Sequence, residues 1–212
     1  MIQNYKIIDI ANWNRREHFE FFSKMTSPYF GIVTQVDCTR AYERSKEAGI
    51  SFFSYYLHSS MVAVNRVREL KLRIVEEQVV QFQTIHAGTT IGREDGTFGF
   101  AFIPNTPPLE DFNAALQEEI RAVKNSTGLR LNNEDLKKDL IRHSTIPWHS
   151  FTGLLHPTGL DPKESVPKIT FGKFSIQGTR KFLPVSVEAH HGLVDGLHIA
   201  QYLEEFQKQL NS

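Results

Sequence analysis

Apolar side chains recur at helical spacing between positions 51 and 67 of the chain. Four of them follow one another at intervals of four, four and three residues: Phe53, Leu57, Met61 and Val64. Residues at this spacing lie on one face of an α-helix, and an apolar face of this kind packs against the rest of the protein. The pattern therefore predicts a helix over 51–67 with one buried face.

A shorter period governs the next stretch. Apolar and polar residues alternate strictly in LKLRIV (70–75), and VVQFQTIH (79–86) follows after a short turn. Alternation with a period of two is typical of a strand that buries one face. Together the two stretches predict a β-hairpin.

The other segments divide between the same two periods. Strands are predicted at 5–10, 30–38, 96–103, 144–155, 167–174 and 180–191. Helices are predicted from Asn14 with Glu17 in a capping box, over 39–49 with Gly49 as the stop, after Pro107 and Pro108, within the polar stretch 124–142, and at about 196–210. Because the elements lack a strict βαβ rhythm and no linker divides them, we expect one layered α/β domain over 1–212 with a mixed sheet.

Charge and composition exclude several classes of protein. The 24 basic residues balance the 24 acidic ones, so no basic excess favours nucleic acid or an anionic membrane as a partner. A net charge near zero favours self-association. The single cysteine, Cys38, allows no intrachain disulfide and fits a reducing compartment. The start of the chain does not resemble a secretory signal and no stretch is long enough to span a bilayer, so we predict a cytoplasmic protein.

Two adjacent histidines stand at the junction between the last predicted strand and the last predicted helix, in VEAHHGLVDGLHIAQYL (187–203). By alternation, His191 shares a face of the strand with Val187 and other apolar residues. His190 shares the opposite, more polar face with Glu188. Burial favours a neutral imidazole, which can accept a proton near pH 7. This pattern predicts that His191 acts in chemistry and that His190 is structural.

Other interpretations of the histidine pair stay open at this point. Asp195 falls where the N-cap of the helix is expected, so its carboxylate can accept backbone N–H groups or pair with a cation. A buried histidine can simply satisfy a hydrogen bond, and His191, Asp195 and His198 could bind a metal ion. The metal interpretation lacks a further ligand, so no metal is expected. Cysteine catalysis is disfavoured because no motif surrounds Cys38.

Several motifs in order resemble those of one enzyme family. HHGLVDG (190–196) is similar to the HHxxxDG signature of CoA-dependent acyltransferases, which several families share. NWNRREHFEFF (12–22) resembles the opening of chloramphenicol acetyltransferases. Three further segments are similar to parts of that family: TFGF (97–100), STIPWHSF (144–151) and KITFGKF (168–174). The resemblance runs from Trp13 to Leu210 and implies the two-layer sandwich with a mixed sheet of the CoA-dependent acyltransferases.

The resemblance implies direct transfer of acetyl from acetyl-CoA, a co-substrate and not a bound cofactor, to the hydroxyl of a small acceptor. Chloramphenicol is the leading acceptor, with antibiotic resistance as the consequence. His191 is implied to be the general base, Ser144 the donor to the tetrahedral oxyanion, and Thr170 a second polar contact near that centre. Asp195 is implied to be a structural partner of Arg15.

The family also implies an assembly and two binding surfaces. It is a homotrimer with active sites between subunits, where CoA enters from one side and the acceptor from the other. The positions that match its CoA contacts are Lys173 and Phe174. The positions that match its acceptor contacts are Phe21, Phe22 and Phe98.

The sequence departs from the family on the acceptor side. Phe22 stands where drug-binding members often have tyrosine, KMTSPYFG (24–31) departs from the usual edge of the pocket, and His156 stands where an apolar contact is expected. Acetyl transfer is therefore better supported than chloramphenicol as its acceptor. Two alternatives stay open: an acyltransferase for another hydroxyl or for a thiol, and a trimeric binding protein without turnover.

Overall fold

The computed structural model describes residues 4–131, 137–157, 161 and 163–212, and this part of the chain contains ten strands and five α-helices. The strands are β1 (Tyr5–Ile7), β2 (Tyr29–Asp37), β3 (Leu72–Val75), β4 (Gln78–Phe82), β5 (His86–Gly92), β6 (Phe98–Ile103), β7 (Leu140–Ile146), β8 (Lys168–Gly172), β9 (Ser175–Gln177) and β10 (Arg180–His190). The helices are α1 (Arg16–Phe22), α2 (Thr39–Glu47), α3 (Phe52–Arg66), α4 (Leu109–Lys124) and α5 (Gly196–Asn211). Two short 3-10 turns lie at Ile10–Asn12 and Glu69–Lys71.

A mixed sheet dominates the fold. Its strand order is β2-β10-β8-β7-β5-β6, and β9 pairs with β10 as the seventh strand. The β7 strand runs parallel to β5 and β8, and the other pairs are antiparallel. A second, antiparallel sheet has the order β1-β4-β3. The predicted α/β class with a mixed sheet is confirmed.

Helices α3 and α5 cover the apolar face of the large sheet. His143 of β7 lies 3.3 Å from the hydroxyl of Ser60 in α3. The ring of Phe171 in β8 lies 4.8 Å from Tyr56 in α3 and 5.7 Å from Phe206 in α5. Side chains of alternate strand residues therefore form the core between the sheet and these helices.

The opposite face of the sheet carries polar side chains. Ser144, Thr170 and Ser186 are register partners on β7, β8 and β10, so their side chains leave the sheet on the same side. Lys168 and Glu188 form a neighbouring pair on this face. Thr170 and Ser186 are each only 1% exposed, and His156, from the chain after β7, lies against Thr170. Polar groups buried in this way need hydrogen-bond partners within the protein.

Phe151 anchors the chain that covers the polar face. A Cβ atom at Gly172 would lie 2.9 Å from the Phe151 ring and 2.6 Å from Cγ of Pro184. Glycine is required at this point of β8 because a larger residue would displace Phe151. The covering segment is therefore held against the strand that carries Thr170.

The predicted hairpin over 70–86 is confirmed as β3 and β4, but the end of its second stretch belongs to another strand. β5 begins at His86 and was not predicted, because Gly88 and Gly92 interrupt its pattern. The predicted capping box at Asn14 is wrong: α1 begins at Arg16, and no side chain caps it.

Two further element predictions differ from the structure. The strand predicted over 144–155 ends at Ile146, because Pro147 has no N–H to donate to a ladder. The described residues of the stretch 124–142 contain no helix beyond the end of α4, and residues 132–136 lie outside the described part of the chain.

Arg73 ties β3 to the start of β7, and its replacement tests that role. The guanidinium is fully buried and donates to four carbonyl oxygens: those of Leu70, Leu72, Lys138 and Leu140. Burial lowers the pKa of Arg73 to about 10, so it remains charged at neutral pH. We expect Arg73→Met to lower the free energy of unfolding by about 3–5 kcal/mol, because these carbonyls lose their donors.

Urea denaturation at a fixed protein concentration measures this change. Arg68→Met is the matched control because Arg68 is exposed, and its effect should stay within about 0.5 kcal/mol. Equal effects of the two substitutions would contradict the role assigned to Arg73.

Asp195 caps α5 and pairs with Arg15, and this predicts a pH dependence of stability. Burial raises the pKa of Asp195, but the hydrogen bond from Arg15 and the nearby His198 outweigh it, so the pKa lies below its ordinary 3.8. A carboxylate with a depressed pKa stabilises the fold above its unfolded pKa, and the contribution is lost as the pH falls through the folded pKa. Asp195→Asn, which keeps the cap, should lower stability by about 1 kcal/mol at neutral pH.

The difference between the wild-type protein and Asp195→Asn should vanish below the folded pKa of Asp195. Unfolding free energies measured from neutral pH into acid test this expectation. A difference that stayed constant with pH would show that the charge of Asp195 does not stabilise the fold.

Candidate active site

His191 lies in the turn that joins β10 to α5. The N–H groups of Leu193 and Val194 donate to the carbonyl of His190 at 2.9 and 3.0 Å, which closes the turn. The N–H of His191 donates to the carbonyl of Pro28 at 2.8 Å, which fixes the turn to the start of β2. Backbone hydrogen bonds therefore fix the position of His191 independently of the contacts of its ring.

One hydrogen bond decides which nitrogen of His191 is basic. Nδ1 lies 3.2 Å from the carbonyl oxygen of Val194. A carbonyl can only accept, so Nδ1 carries the proton and donates it to Val194. In the neutral ring, the lone pair is then on Nε2, which is the nitrogen that can take a proton from a substrate.

Two aromatic rings enclose the imidazole of His191. Phe22 of α1 stacks on one side with 4.0 Å between ring centroids and 14° between planes. Phe30 of β2 stacks with 4.2 Å between centroids and 29° between planes. This packing limits rotation of the imidazole.

The strand alternation that favours His191 over His190 is the wrong basis for that choice. Both faces of β10 are buried, the strand ends at His190, and His190 is only 1% exposed, whereas His191 is partly exposed. His190 accepts the N–H of Gly192 at 3.1 Å through Nδ1 and lies edge-on to Tyr29. A Cβ at Gly192 would lie 2.9 Å from the His190 ring, so glycine is required there. His190 thus fits the structural role, and the case for His191 comes from its turn.

Arg15 and Asp195 brace the same turn. The Arg15 guanidinium donates to the Asp195 carboxylate and, at 3.2 Å, to the carbonyl of His191. Asp195 also accepts the N–H of Leu197 at 3.0 Å as the N-cap of α5. The imidazole of His191 is oriented by a carbonyl and two aromatic rings, and the contacts of Asp195 are those of a structural group.

His198 and the remaining described residues offer no metal centre. His198 completes the cap of α5 by accepting the N–H of Asp195 at 3.1 Å. Across the ranges that the structure describes, no group of three or more His, Cys, Asp or Glu side chains could hold a metal ion. Within the same ranges, no helix combines the length and apolar character needed to cross a bilayer.

Ser144 lies where two cavities meet. The first, of about 390 Å³, and the second, of about 590 Å³, share Thr90, Phe98 and Ser144 in their walls. The second cavity is also lined by Tyr56 and Trp148. Two ligands that entered these cavities would face each other at Ser144.

Thr170 lies beside Ser144 in register but lines neither cavity. Its hydroxyl is 2.6 Å from Nε2 of His156, and Nδ1 of His156 is 2.7 Å from the carboxylate of Glu188. His156 itself lines the first cavity. Thr170 is thus linked to the wall of the first cavity only by its hydrogen bond with His156.

The aromatic and basic residues assigned to binding fall in separate places. Phe22 stacks on His191, while Phe21 is 61% exposed and packs edge-on against Phe22. Phe98 is 45% exposed and lines both cavities.

The two residues predicted to contact CoA lie elsewhere. Lys173 is exposed, and Phe174 packs edge-on against Tyr42 and Phe52. Lys173 and Phe174 line neither cavity, and their contact with CoA stays a prediction.

A single chain keeps His191 apart from Ser144 and Thr170. Thr170 pairs with Ser186, and His190 lies four residues further along β10, which is about 13 Å at the rise of a strand. The Phe30 ring that stacks on His191 pairs with Ala189, on the sheet face opposite to Thr170. A base and an oxyanion donor that serve one tetrahedral centre must lie within about 8 Å. Within one chain, His191 and the Ser144–Thr170 pair therefore form two separate parts of the predicted site.

Sequence reasoning missed three parts of the site. Phe30 stands at the edge of a predicted strand, and its stacking on His191 depends on tertiary structure. Glu188 is a carboxylate between apolar neighbours of a predicted strand, which was a usable signal for a buried polar contact. The carbonyl of Val194 left no signal because every residue has one.

Comparisons with solved structures agree with this fold. A solved chloramphenicol acetyltransferase matches with a TM-score of 0.89 at 29% identity, covering 97% of this chain and 99% of that chain. The dihydrolipoamide acetyltransferase of Azotobacter vinelandii matches with a TM-score of 0.66 at 14% identity, covering 100% of this chain and 92% of that one, so its likeness shows the fold alone.

Sequence comparisons identify the family. Chloramphenicol acetyltransferase 2 of Escherichia coli is 30% identical over 206 residues, which are 96% of each chain. A chloramphenicol acetyltransferase of Campylobacter coli is 27% identical over 210 residues, covering 96% of this chain and 97% of its own. The family model named chloramphenicol acetyltransferase matches residues 3–207, and the chain therefore belongs to the chloramphenicol acetyltransferase family.

Proposed function

We propose that the protein is an O-acetyltransferase that transfers acetyl from acetyl-CoA to a hydroxyl acceptor, with chloramphenicol as the leading candidate. The observation that carries the proposal is the proton on Nδ1 of His191, which leaves Nε2 as a base. The relatives named chloramphenicol acetyltransferases support the choice of acceptor. Acetylation of that drug would give resistance to it, and the buried single Cys38 fits the cytoplasm as the place of action.

The transfer is direct in this proposal. Nε2 of His191 takes the proton of the acceptor hydroxyl while that oxygen attacks the thioester carbonyl. Ser144 donates a hydrogen bond to the oxyanion of the tetrahedral intermediate, which is worth about 3 kcal/mol. The intermediate then expels the CoA sulfur, which takes the proton from the imidazolium. The rings of Phe22 and Phe30 hold the imidazole in one orientation between the two steps.

The two cavities give each substrate a place. We assign the second cavity to the thioester end of acetyl-CoA, because Tyr56 in its wall packs against Phe52, and Phe52 contacts the predicted CoA residue Phe174. The first cavity is then the acceptor cavity. Both substrates meet at Ser144, so proximity replaces a covalent intermediate.

The proposal requires more than one copy of the chain. Because His191 is far from Ser144 within one chain, we propose that His191 of one subunit serves the Ser144 cavities of the next. In a cyclic trimer this contact repeats three times and closes. Each site is then built from two subunits, in agreement with the assembly that the family resemblance implies.

Replacement of His191 tests the base. His191→Ala should lower kcat with acetyl-CoA and chloramphenicol by about 10²–10⁴-fold, because general-base assistance is lost. Thiol release from acetyl-CoA measures the rate. His18→Ala is the control because His18 is exposed on α1, and it should retain wild-type activity. Near-normal turnover of His191→Ala would refute the mechanism.

Mixed assemblies test the shared site. His191→Ala and Ser144→Ala chains, each weakly active alone, should recover activity when co-expressed, because some interfaces combine an intact His191 with an intact Ser144. Random mixing in a cyclic trimer places both intact residues in about a quarter of the sites, so about a quarter of wild-type activity is expected. Activity no higher than that of the two single variants would show that both residues act from one chain.

A further inference from the structure

The place where the two cavities meet carries a hydroxyl group besides that of Ser144. The described residues that line both cavities are Thr90, Phe98 and Ser144. Phe98 supplies a hydrocarbon ring, so the polar side chains at this point are the hydroxyls of Thr90 and Ser144. A thioester in one cavity and an alcohol in the other would therefore meet between these two groups.

Strand register places the two hydroxyls side by side. β5 and β7 run parallel, with Thr89 paired with His143. The ring of His143 lies against Ser60 of α3, and Thr89 is 2% exposed. Thr90 and Ser144 each follow by one residue and therefore project from the opposite face, into the cavities. Neighbouring strands lie about 4.8 Å apart, so both hydroxyls can reach one atom held between them.

A second strand fixes the position of Thr90. On the side of β5 away from β7, Thr90 is paired with Phe100 of β6, which lines the first cavity. The side chain of a β-branched residue has few rotamers open to it in a strand. The Thr90 hydroxyl is thus in place before the substrates bind, which is the condition for a donor that stabilises a transition state.

Thr90 is better placed for a direct contact with a substrate than Thr170. The Thr170 hydroxyl lies 2.6 Å from Nε2 of His156, and Thr170 is 1% exposed and lines neither cavity. Thr90 is half-buried and lines both cavities. Among the residues that the structure describes, none forms a hydrogen bond with the Thr90 hydroxyl. The O–H of Thr90 is therefore available to a ligand.

We propose that Thr90 is a further catalytic residue, whose hydroxyl donates to the oxyanion of the tetrahedral intermediate beside the hydroxyl of Ser144. The inference rests on the proposed acetyl transfer and adds a second donor to it. As the acceptor oxygen bonds to the thioester carbon, the carbonyl oxygen gains negative charge, and it loses this charge when the C–S bond breaks. Thr90 keeps its own proton throughout and forms no covalent bond. A hydrogen bond to a charged oxygen is about twice as strong as one to a neutral oxygen, so the contact favours the transition state.

Removal of the hydroxyl tests the donor. Thr90→Val keeps the shape of the side chain, and kcat with acetyl-CoA and chloramphenicol should fall about 10–100-fold, because one donor to the oxyanion is lost. The KM values should change less than about threefold, because the contact strengthens in the transition state and not in substrate binding. Thr90→Ser restores the hydroxyl and should keep kcat within about threefold of the wild-type value. Thiol release from acetyl-CoA measures both constants.

The same substitution at two other threonines provides the references. Thr34→Val changes a half-buried threonine of β2 that lines neither cavity, and its kcat should equal that of the wild-type protein. Thr170→Val should lower kcat less than Thr90→Val, because Thr170 is linked to the first cavity only through His156.

The outcomes separate this inference from the proposed function. A wild-type kcat in Thr90→Val would overturn the inference, as would a loss that Thr90→Ser does not restore or a change confined to KM. A loss in Thr170→Val with none in Thr90→Val would assign the second contact to Thr170 and overturn it as well. In each of these cases, turnover by the wild-type protein leaves the proposed function intact. If the wild-type protein released no thiol with any alcohol, the proposed function and the inference would both fail.

Discussion

The hydrogen bond from Nδ1 of His191 to the carbonyl of Val194 is the interaction on which the proposed chemistry depends. It places the one exchangeable proton of the neutral ring on the nitrogen that faces the protein, and so leaves Nε2 basic. No carboxylate is needed to orient the ring, because Phe22 and Phe30 enclose it. The Arg15–Asp195 pair stabilises the turn after β10. The turn in turn positions the carbonyl of Val194, which determines the tautomer of His191.

A second constraint follows from the geometry of the sheet. Ser144 and Thr170, proposed for oxyanion contact, lie on the face of the sheet away from α3 and α5. His191 lies beyond the end of β10 and stacks on Phe30, whose side chain is on the opposite face. Because the strand keeps them apart within one chain, the proposed mechanism requires a second chain to complete the centre. The proposed mechanism thus makes self-association part of the chemistry, and a formal net charge of zero gives no overall repulsion between copies of the chain.

The sequence predicted the class of fold and most elements because burial imposes a period on apolar residues, as in α3 and in the β3–β4 hairpin. It failed where local signals are weak or are overridden by distant contacts. β5 is interrupted by glycines, and α1 begins after Arg15 without a side-chain cap, while the Arg15 side chain pairs with the distant Asp195. The positions of His191, Asp195 and Arg15 came from motifs, whereas the face argument for His191 failed because both sides of β10 are buried. The Glu188–His156–Thr170 contacts join residues that no local pattern connects.

Isotope-edited NMR of the imidazole nitrogens at neutral pH, assigned against the His191→Ala protein, tests the central claim most directly. The account predicts that free His191 is neutral, with its proton on Nδ1 and with Nε2 unprotonated. A proton resident on Nε2, or a ring that is already an imidazolium before substrate binds, would contradict it, because His191 could then not accept the proton of an alcohol.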